Sequence, residues 1–295
     1  MKITKSNVTV IITLIFSAIL LALQGPVTKA LVKKSDRLNA KYAVHYTIKS
    51  TFTLPDILRE ISGIVWLDEN TFASIQDEDG FIYVYDVAEN EIKDKIEFAN
   101  SGDYEGIAIN ENDAYVMRSD GLLFVVKNYR SEHPEISEIQ TPFSSDNDIE
   151  SLNYDPDNNR LLTAPKEEDL ITKNIKGIYQ IPLKTMRMDS MPIIKINLKS
   201  EKLKPFRHKK IHKTFNPSGM AIHPITKEIY LVDGKKPKLM VLNMKGEILK
   251  ALPLDKRKFA QPEGITFSDD GRLFISNEAG NKHDNGNILE VELKE

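Results

Sequence analysis

The chain has 295 residues, 41% of them hydrophobic and 28% charged, with a formal net charge of −3, the proportions of one ordinary globular domain with a short appendage. A balance so near neutral gives no global field to recruit nucleic acid or an anionic surface. Cysteine is absent, which excludes disulfides, thiol nucleophiles, thiolate metal sites and a lipidated N-terminal cysteine.

The first predicted element is a membrane segment. Lys2 and Lys5 precede a charge-free apolar run over residues 8–23, VTVIITLIFSAILLAL. Positive charge ahead of such a run keeps the N-terminus cytoplasmic. As a helix at ~1.5 Å per residue the run spans roughly 24 Å, a little short of the ~30 Å hydrocarbon core. Asn7 and Gln24 at the interfaces complete a transmembrane helix with slight local thinning. No good Ala-x-Ala cleavage site follows, so an uncleaved anchor is favoured over a cleaved signal peptide. The domain plan is then an anchor or signal peptide at 1–24, a polar and basic tether at 25–41, and a β-rich domain at 42–295. That domain lies outside the cytoplasm, at the plasma membrane if the anchor stays, secreted or periplasmic if it is removed.

Residues 43–52 (AVHYTIKSTF) read as a lone strand with alternating character. Four short strands follow at 63–67, 71–75, 81–87 and 92–98, separated by turn chemistry such as Asp68-Glu69-Asn70 and Asp77-Glu78-Asp79-Gly80. The same template recurs down the chain. Second strands are predicted at 114–117, 160–163, 228–232 and 272–276, and third strands at 122–126, 177–181, 238–242 and 287–291. Four antiparallel strands in about 45 residues make one blade of a β-propeller. The last unit stops after three strands, and the lone strand at 43–52 supplies the fourth, closing the ring and removing an unpaired edge. The fold class is therefore all-β, a propeller of five four-stranded blades closed by an N-terminal strand. Six blades remain the alternative because one repeat interval is long.

The repeat carries a phrase: an acidic or hydroxyl residue, a small residue, an apolar one. It reads Ser62-Gly63-Ile64, Glu105-Gly106-Ile107, Glu150-Ser151-Leu152, Ser218-Gly219-Met220 and Glu263-Gly264-Ile265, at intervals of 43, 45, 68 and 45 residues. A ring of blades brings the heads of this phrase, placed at the entry to each innermost strand, to one mouth of the central channel. The loops between second and third strands return to the same face and add Asp77, Arg118, Lys166, Lys235 and Glu278, with Glu60 and Asp103 just upstream of their motifs. The small residues suit crowding near the axis. Three like-charged heads need a positive partner. One answer is a divalent cation, and oxygen-only ligands favour Ca²⁺, with Mg²⁺ second. The expected metal set is Glu105, Glu150, Glu263, Ser62, Ser218, Asp77 and Glu278. Another answer is a salt-bridge cage from Arg118, Lys166 and Lys235, which also form a candidate clamp for an anion. Wide separation of the glutamates is the third.

Other signals point less far. His223, in Ala221-Ile222-His223-Pro224, reads as a turn residue, and Trp66 as core. The basic stretch at 202–213 (KLKPFRHKKIHK) is a solvated linker, a clamp for phosphate or carboxylate beside the channel mouth, or a contact for anionic lipid. The six histidines share no metal spacing.

In order, Glu60-Ile61-Ser62-Gly63-Ile64, residues 76–80 (QDEDG), Asp103-Tyr104-Glu105-Gly106-Ile107, residues 148–152 (DIESL), 216–220 (NPSGM), 261–265 (QPEGI) and 276–280 (SNEAG) resemble the SdiA-regulated family of bacterial envelope propellers. The resemblance covers roughly residues 47–295 and implies a membrane-attached propeller. A more distant similarity to phytase-like and esterase-like propellers implies calcium at the channel mouth. No reaction comes with the narrower family. Two functions stay open: a binding protein of the envelope taking a small anionic or ester ligand, or a metal-dependent hydrolase in which Glu105, Glu150 or Glu263 acts as general base. Nucleic acid is not an expected partner.

Overall fold

The structure is a computed structural model and describes residues 32–37, 39–281 and 284–294. The apolar run at 8–23 lies outside the described residues. Among those described, no helix is long and apolar enough to cross a membrane. The chain divides into two compact units, residues 1–46 with Lys294, and Thr47–Leu293 with Glu295. Within the first, residues 32–37 and 39–43 are helical, so the end of the expected tether has regular structure. Its lysines, arginine and alanines are good helix formers.

The second unit is a five-bladed propeller. Its first strand, β1 (Tyr46–Thr53), precedes the first blade. That blade holds β2 (Ile61–Trp66), β3 (Thr71–Gln76), β4 (Phe81–Asp86) and β5 (Glu91–Glu97). Next come β6 (Tyr104–Asn110), β7 (Asp113–Arg118), β8 (Leu122–Lys127) and β9 (Glu135–Gln140). The third blade is β10 (Asn153–Asp155), β11 (Arg160–Thr163), β12 (Ile175–Pro182) and β13 (Ile194–Asn197). The fourth is β14 (Pro217–Ile222), β15 (Ile229–Asp233), β16 (Lys238–Leu242) and β17 (Ile248–Pro253). Last are β18 (Pro262–Phe267), β19 (Leu273–Asn277) and β20 (Asn287–Leu293). Sheet order in the last blade is β1-β20-β19-β18, so the N-terminal strand closes the ring as the repeat arithmetic requires. Each described pairing within a blade is antiparallel, from Ile61↔Gln76 in the first to Leu273↔Val291 in the last.

Five blades, not six, fill the ring. The long interval holds two short 3₁₀ segments, Glu201–Phe206 and Ile211–Lys213, in place of strands. Apolar side chains gather between neighbouring blades. Phe98, Tyr104 and Phe124 meet edge to face between blades one and two, with ring centroids 4.8–5.6 Å apart. Phe215, Met220 and Leu231 pack with Ile178 and Ile196 between blades three and four. Phe72 and Phe274 join blades one and five at 5.1 Å. Trp66 departs from expectation: it is only partly buried against this last cluster and lines the far mouth of the channel.

Candidate functional site

In four blades the phrase sits inside the innermost strand, and in the third it lies just ahead of β10; at each head the register slips. In blade one Ile61 pairs with Gln76 and Gly63 with Ile75, so Ser62 is skipped. Glu105 is skipped between Tyr104↔Arg118 and Gly106↔Met117, and Ser218 between Pro217↔Asp233 and Gly219↔Val232. The register also slips by one residue across Glu263-Gly264 and across Glu150-Ser151-Leu152. An extra residue in one strand is left unpaired, bends the strand and re-aims its side chain. Here that device turns the heads toward the axis at the face where the innermost strands begin, termed the upper face below.

Each part of the phrase acquires a separate job. Ser62, Glu105, Glu150 and Glu263 line one axial cavity, with Ile64, Ile107, Leu152, Met220 and Ile265 filling it from below. The cavity measures about 10 Å³, room for a single water. The small residues allow neighbouring strands to close in. A Cβ on Gly219 would stand 2.2 Å from the Glu263 carbonyl oxygen, and one on Gly106 2.8 Å from the Leu152 Cβ. The serine heads tie blades together. Ser62 Oγ donates to the Tyr104 carbonyl at 2.6 Å, and Ser218 Oγ to the Pro262 carbonyl at 2.6 Å.

The three glutamates converge, and Lys166 joins them. Its ammonium is ion-paired with Glu150 and lies 3.6 Å from Asp148. Glu150 is 4% exposed and Glu263 6%, and one carboxylate oxygen of each has no hydrogen-bond partner among the described residues. Burial pushes Glu263 up to about 8, with Lys166 as the main opposing influence and Glu278 adding to the rise. Glu105 is held well above the ordinary carboxylate range, first by burial and then by Glu263 and Asp103. One carboxylate, Glu150, is thus matched by an ammonium, while burial and mutual repulsion favour the protonated forms of Glu105 and Glu263.

Around this centre the upper face is divided. Asp77 is pushed up to about 7 by burial and by Glu60, Glu278, Glu78 and Asp103, in that order. Glu278 is raised by burial and Glu60. These residues come from blades one, two and five. Blades three and four contribute lysines. Lys176 is fully buried and donates to the carbonyls of Lys166, at 2.6 Å, and Glu167. Lys238, 3% exposed, donates to Asp233 at 2.5 Å. Lys176 sits among strand residues and Lys238 just behind Lys235-Lys236-Pro237, so local sequence marks neither as buried and each is found only through packing.

Of the expected anion clamp, only Lys166 reaches the axis. Arg118 is taken by Asp120 in a two-point contact of 2.9 and 2.7 Å, and Lys235 by Glu167 at 2.7 Å. Asp77 and Glu278 belong to the acidic side of the face. His223 is a turn residue as expected, its Nδ1 accepting from the backbone N–H of Ile225 and Thr226.

As a donor set, carboxylates and hydroxyls match Ca²⁺ in kind. The charge arrangement fits it poorly. A divalent ion beside Glu150 would face the Lys166 ammonium already there. Two of the remaining carboxylates favour their protonated forms. Among the described residues no three Asp, Glu or His side chains are grouped to hold a metal ion.

Comparison with solved structures finds the same fold. Glutaminyl cyclase of Myxococcus xanthus superposes with a TM-score of 0.58 at 13% identity, over 84% of this chain and 96% of that one. A streptogramin B lyase gives 0.48 at 11% identity, over 85% and 98%. Virginiamycin B lyase of Staphylococcus aureus gives 0.45 at 11%, over 83% and 74%. At 13% identity the glutaminyl cyclase match shows the propeller fold alone, and the two lyase matches carry no argument. No match is found among curated proteins. Residues 206–288, running from the loop before the fourth blade into the last strand, match the SdiA-regulated family, the family that the repeated phrase resembles.

Proposed function

We propose that this chain is a binding protein of the cell envelope, held at the membrane by its apolar run at 8–23, with its ligand taken on the upper face and not in the axial channel. The observation that carries this reading is the plugged axis. A cavity of about 10 Å³, floored by five apolar side chains, has no space for a substrate bond beside Glu105, Glu150 or Glu263. A general base must come within hydrogen-bond reach of the proton it removes, and at this ring nothing larger than water approaches. Lys166 supports the same reading, because it supplies the positive partner for which Ca²⁺ was expected.

The test is a hydrolysis screen of the purified chain against phosphomonoesters, phosphodiesters and carboxylic esters, with added Ca²⁺ or with EDTA. The proposal expects no turnover in either condition. Calcium-dependent turnover abolished by both Glu105→Gln and Glu263→Gln would overturn it in favour of the hydrolase.

A further inference from the structure

Beside the axis, where blades three and four meet, the upper face holds a second cavity of about 80 Å³. It is bounded by Glu167, His208, Lys213, Lys235 and Lys236, with the buried Asn216 and Asp233 at its base. It has room for several solvent molecules where the axial cavity holds one. It is far smaller than the roughly 300–1,000 Å³ of a drug-sized site. Its scale is that of one polyatomic ion.

Its charges are not balanced from within. Asp233 is committed to Lys238 at 2.5 Å and to the backbone N–H of Asn216 at 2.8 Å. Glu167 is left to answer three ammoniums. Lys235 bonds to it at 2.7 Å, and Lys235, Lys213 and Lys176 hold its carboxyl below the ordinary range despite burial. The same crowding reaches His212, which is lowered by burial and then by Lys176, Lys213 and Lys173. Lys213 and Lys236 have no ion-pair partner among the described residues. They arrive from separate segments, the 3₁₀ turn Ile211–Lys213 and the loop between β15 and β16. Folding thus brings two like charges to one small cavity, an arrangement that disfavours the charged forms unless an anion joins them.

We propose that this cavity binds a phosphate-type oxyanion, with Lys213 and Lys236 as its counter-charges. Lysine acts on phosphate as a point charge, and two ammoniums match a dianion better than the single charge of a carboxylate. The proposal deepens the binding reading by naming the ligand chemistry. Lys213 belongs to the basic stretch at 202–213 that the sequence offers as a phosphate clamp, whereas two members of the other expected clamp, Arg118 and Lys235, are occupied by Asp120 and Glu167.

The experiment is calorimetric titration of the purified full chain with inorganic phosphate, and with acetate at matched ionic strength. Phosphate binding at millimolar concentration is expected, with acetate at least about tenfold weaker. Lys213→Ala and Lys236→Ala should each weaken phosphate about tenfold, and Lys213→Arg should restore it. Both lysines are exposed, so these variants keep the fold. Lys250→Ala, away from this cavity, should leave the titration unchanged. Repeating the titration with a short-chain phosphatidic acid separates the two sources of the group. Tighter binding than inorganic phosphate points to a lipid headgroup, and equal binding to a soluble phosphate, both through this cavity. No phosphate binding, or binding indifferent to both alanine variants, would overturn the proposal. The binding reading would survive that failure, since it falls only on turnover in the hydrolysis screen.

Discussion

The two sides of the upper face occupy equivalent positions in the repeat and manage their charge in opposite ways. On the side of blades one, two and five, every charged neighbour that shifts Asp77 is another carboxylate, and all of them raise it. On the side of blades three and four, Lys176 is pushed down to about 8 by burial, while every charged neighbour that shifts it is a carboxylate that pulls it back up. The first side reduces its charge by holding protons. The second keeps its charge and pairs it, with more lysines than it can match. Lys166 is the point at which the two meet, since it leaves the third blade and influences Glu105, Glu263 and Glu278. A propeller repeats backbone geometry, and the chemistry of each blade is set afresh by its side chains.

The strongest way to break this contrast is to remove the meeting point. Lys166→Met leaves Glu150 buried without its partner, and losing one member of a buried pair costs about 3–5 kcal/mol. For a domain of this size that lowers Tm by roughly 10 °C. Adding Glu150→Gln should return part of the loss, and a double-mutant cycle measures the coupling.

The close approach of the blades gives a smaller effect that differs between the two sides. Gly219→Ala meets a backbone oxygen at 2.2 Å, which has nowhere to go. Gly63→Ala meets the Ile107 Cγ2 at 3.0 Å, a side-chain atom that can yield. Overpacking costs about 1–3 kcal/mol. The substitution at 219 should fall at the upper end and that at 63 at or below the lower, by denaturant unfolding. Ser62→Ala and Ser218→Ala each remove one inter-blade hydrogen bond, worth about 1 kcal/mol, and should show similar losses on the two sides.

The acidic side was legible only in part. The spacing of the phrase and the turn residues between runs place thirteen of the twenty strands within about three residues, leave the outer strands β9, β13 and β17 unplaced, and announce the closing strand through the truncated last unit. Convergence of Glu105, Glu150 and Glu263 follows from that geometry. The bulges do not, because a one-residue slip such as that across Ser62 is a property of the pairing with β3 and leaves no mark on β2 alone. The capture of Arg118 by Asp120, two residues away, was within reach of local reasoning. The pairing of Lys166 with Glu150 was open as one of three alternatives, since a long side chain on a loop has many reachable partners. Lys236 joins Lys213 only through the way two loops fold against each other.

A further expected effect is a dependence on pH that belongs to the acidic side. Glu263 and Asp77 have folded-state values raised to about 8 and about 7, so the folded chain binds more protons than the unfolded one between their ordinary values and these. Their contribution to stability is fully present below about pH 4 and is lost as pH rises through 7 to 8. Tm should fall from pH 5 to pH 8.5, and Glu263→Gln should flatten the decline. A Lys213→Ala variant on the basic side should keep the slope of the parent chain.

The central claim is that an ammonium, not a metal ion, answers the axial carboxylates. The most direct measurement is the melting temperature of the purified chain with millimolar Ca²⁺ and with EDTA, for the parent and for Lys166→Met. The account predicts no calcium shift in the parent and a large fall in Tm for the variant under EDTA. A rise of several degrees in the parent with Ca²⁺, reduced by Glu105→Ala and Glu150→Ala while Lys166→Met leaves stability unchanged, would contradict it.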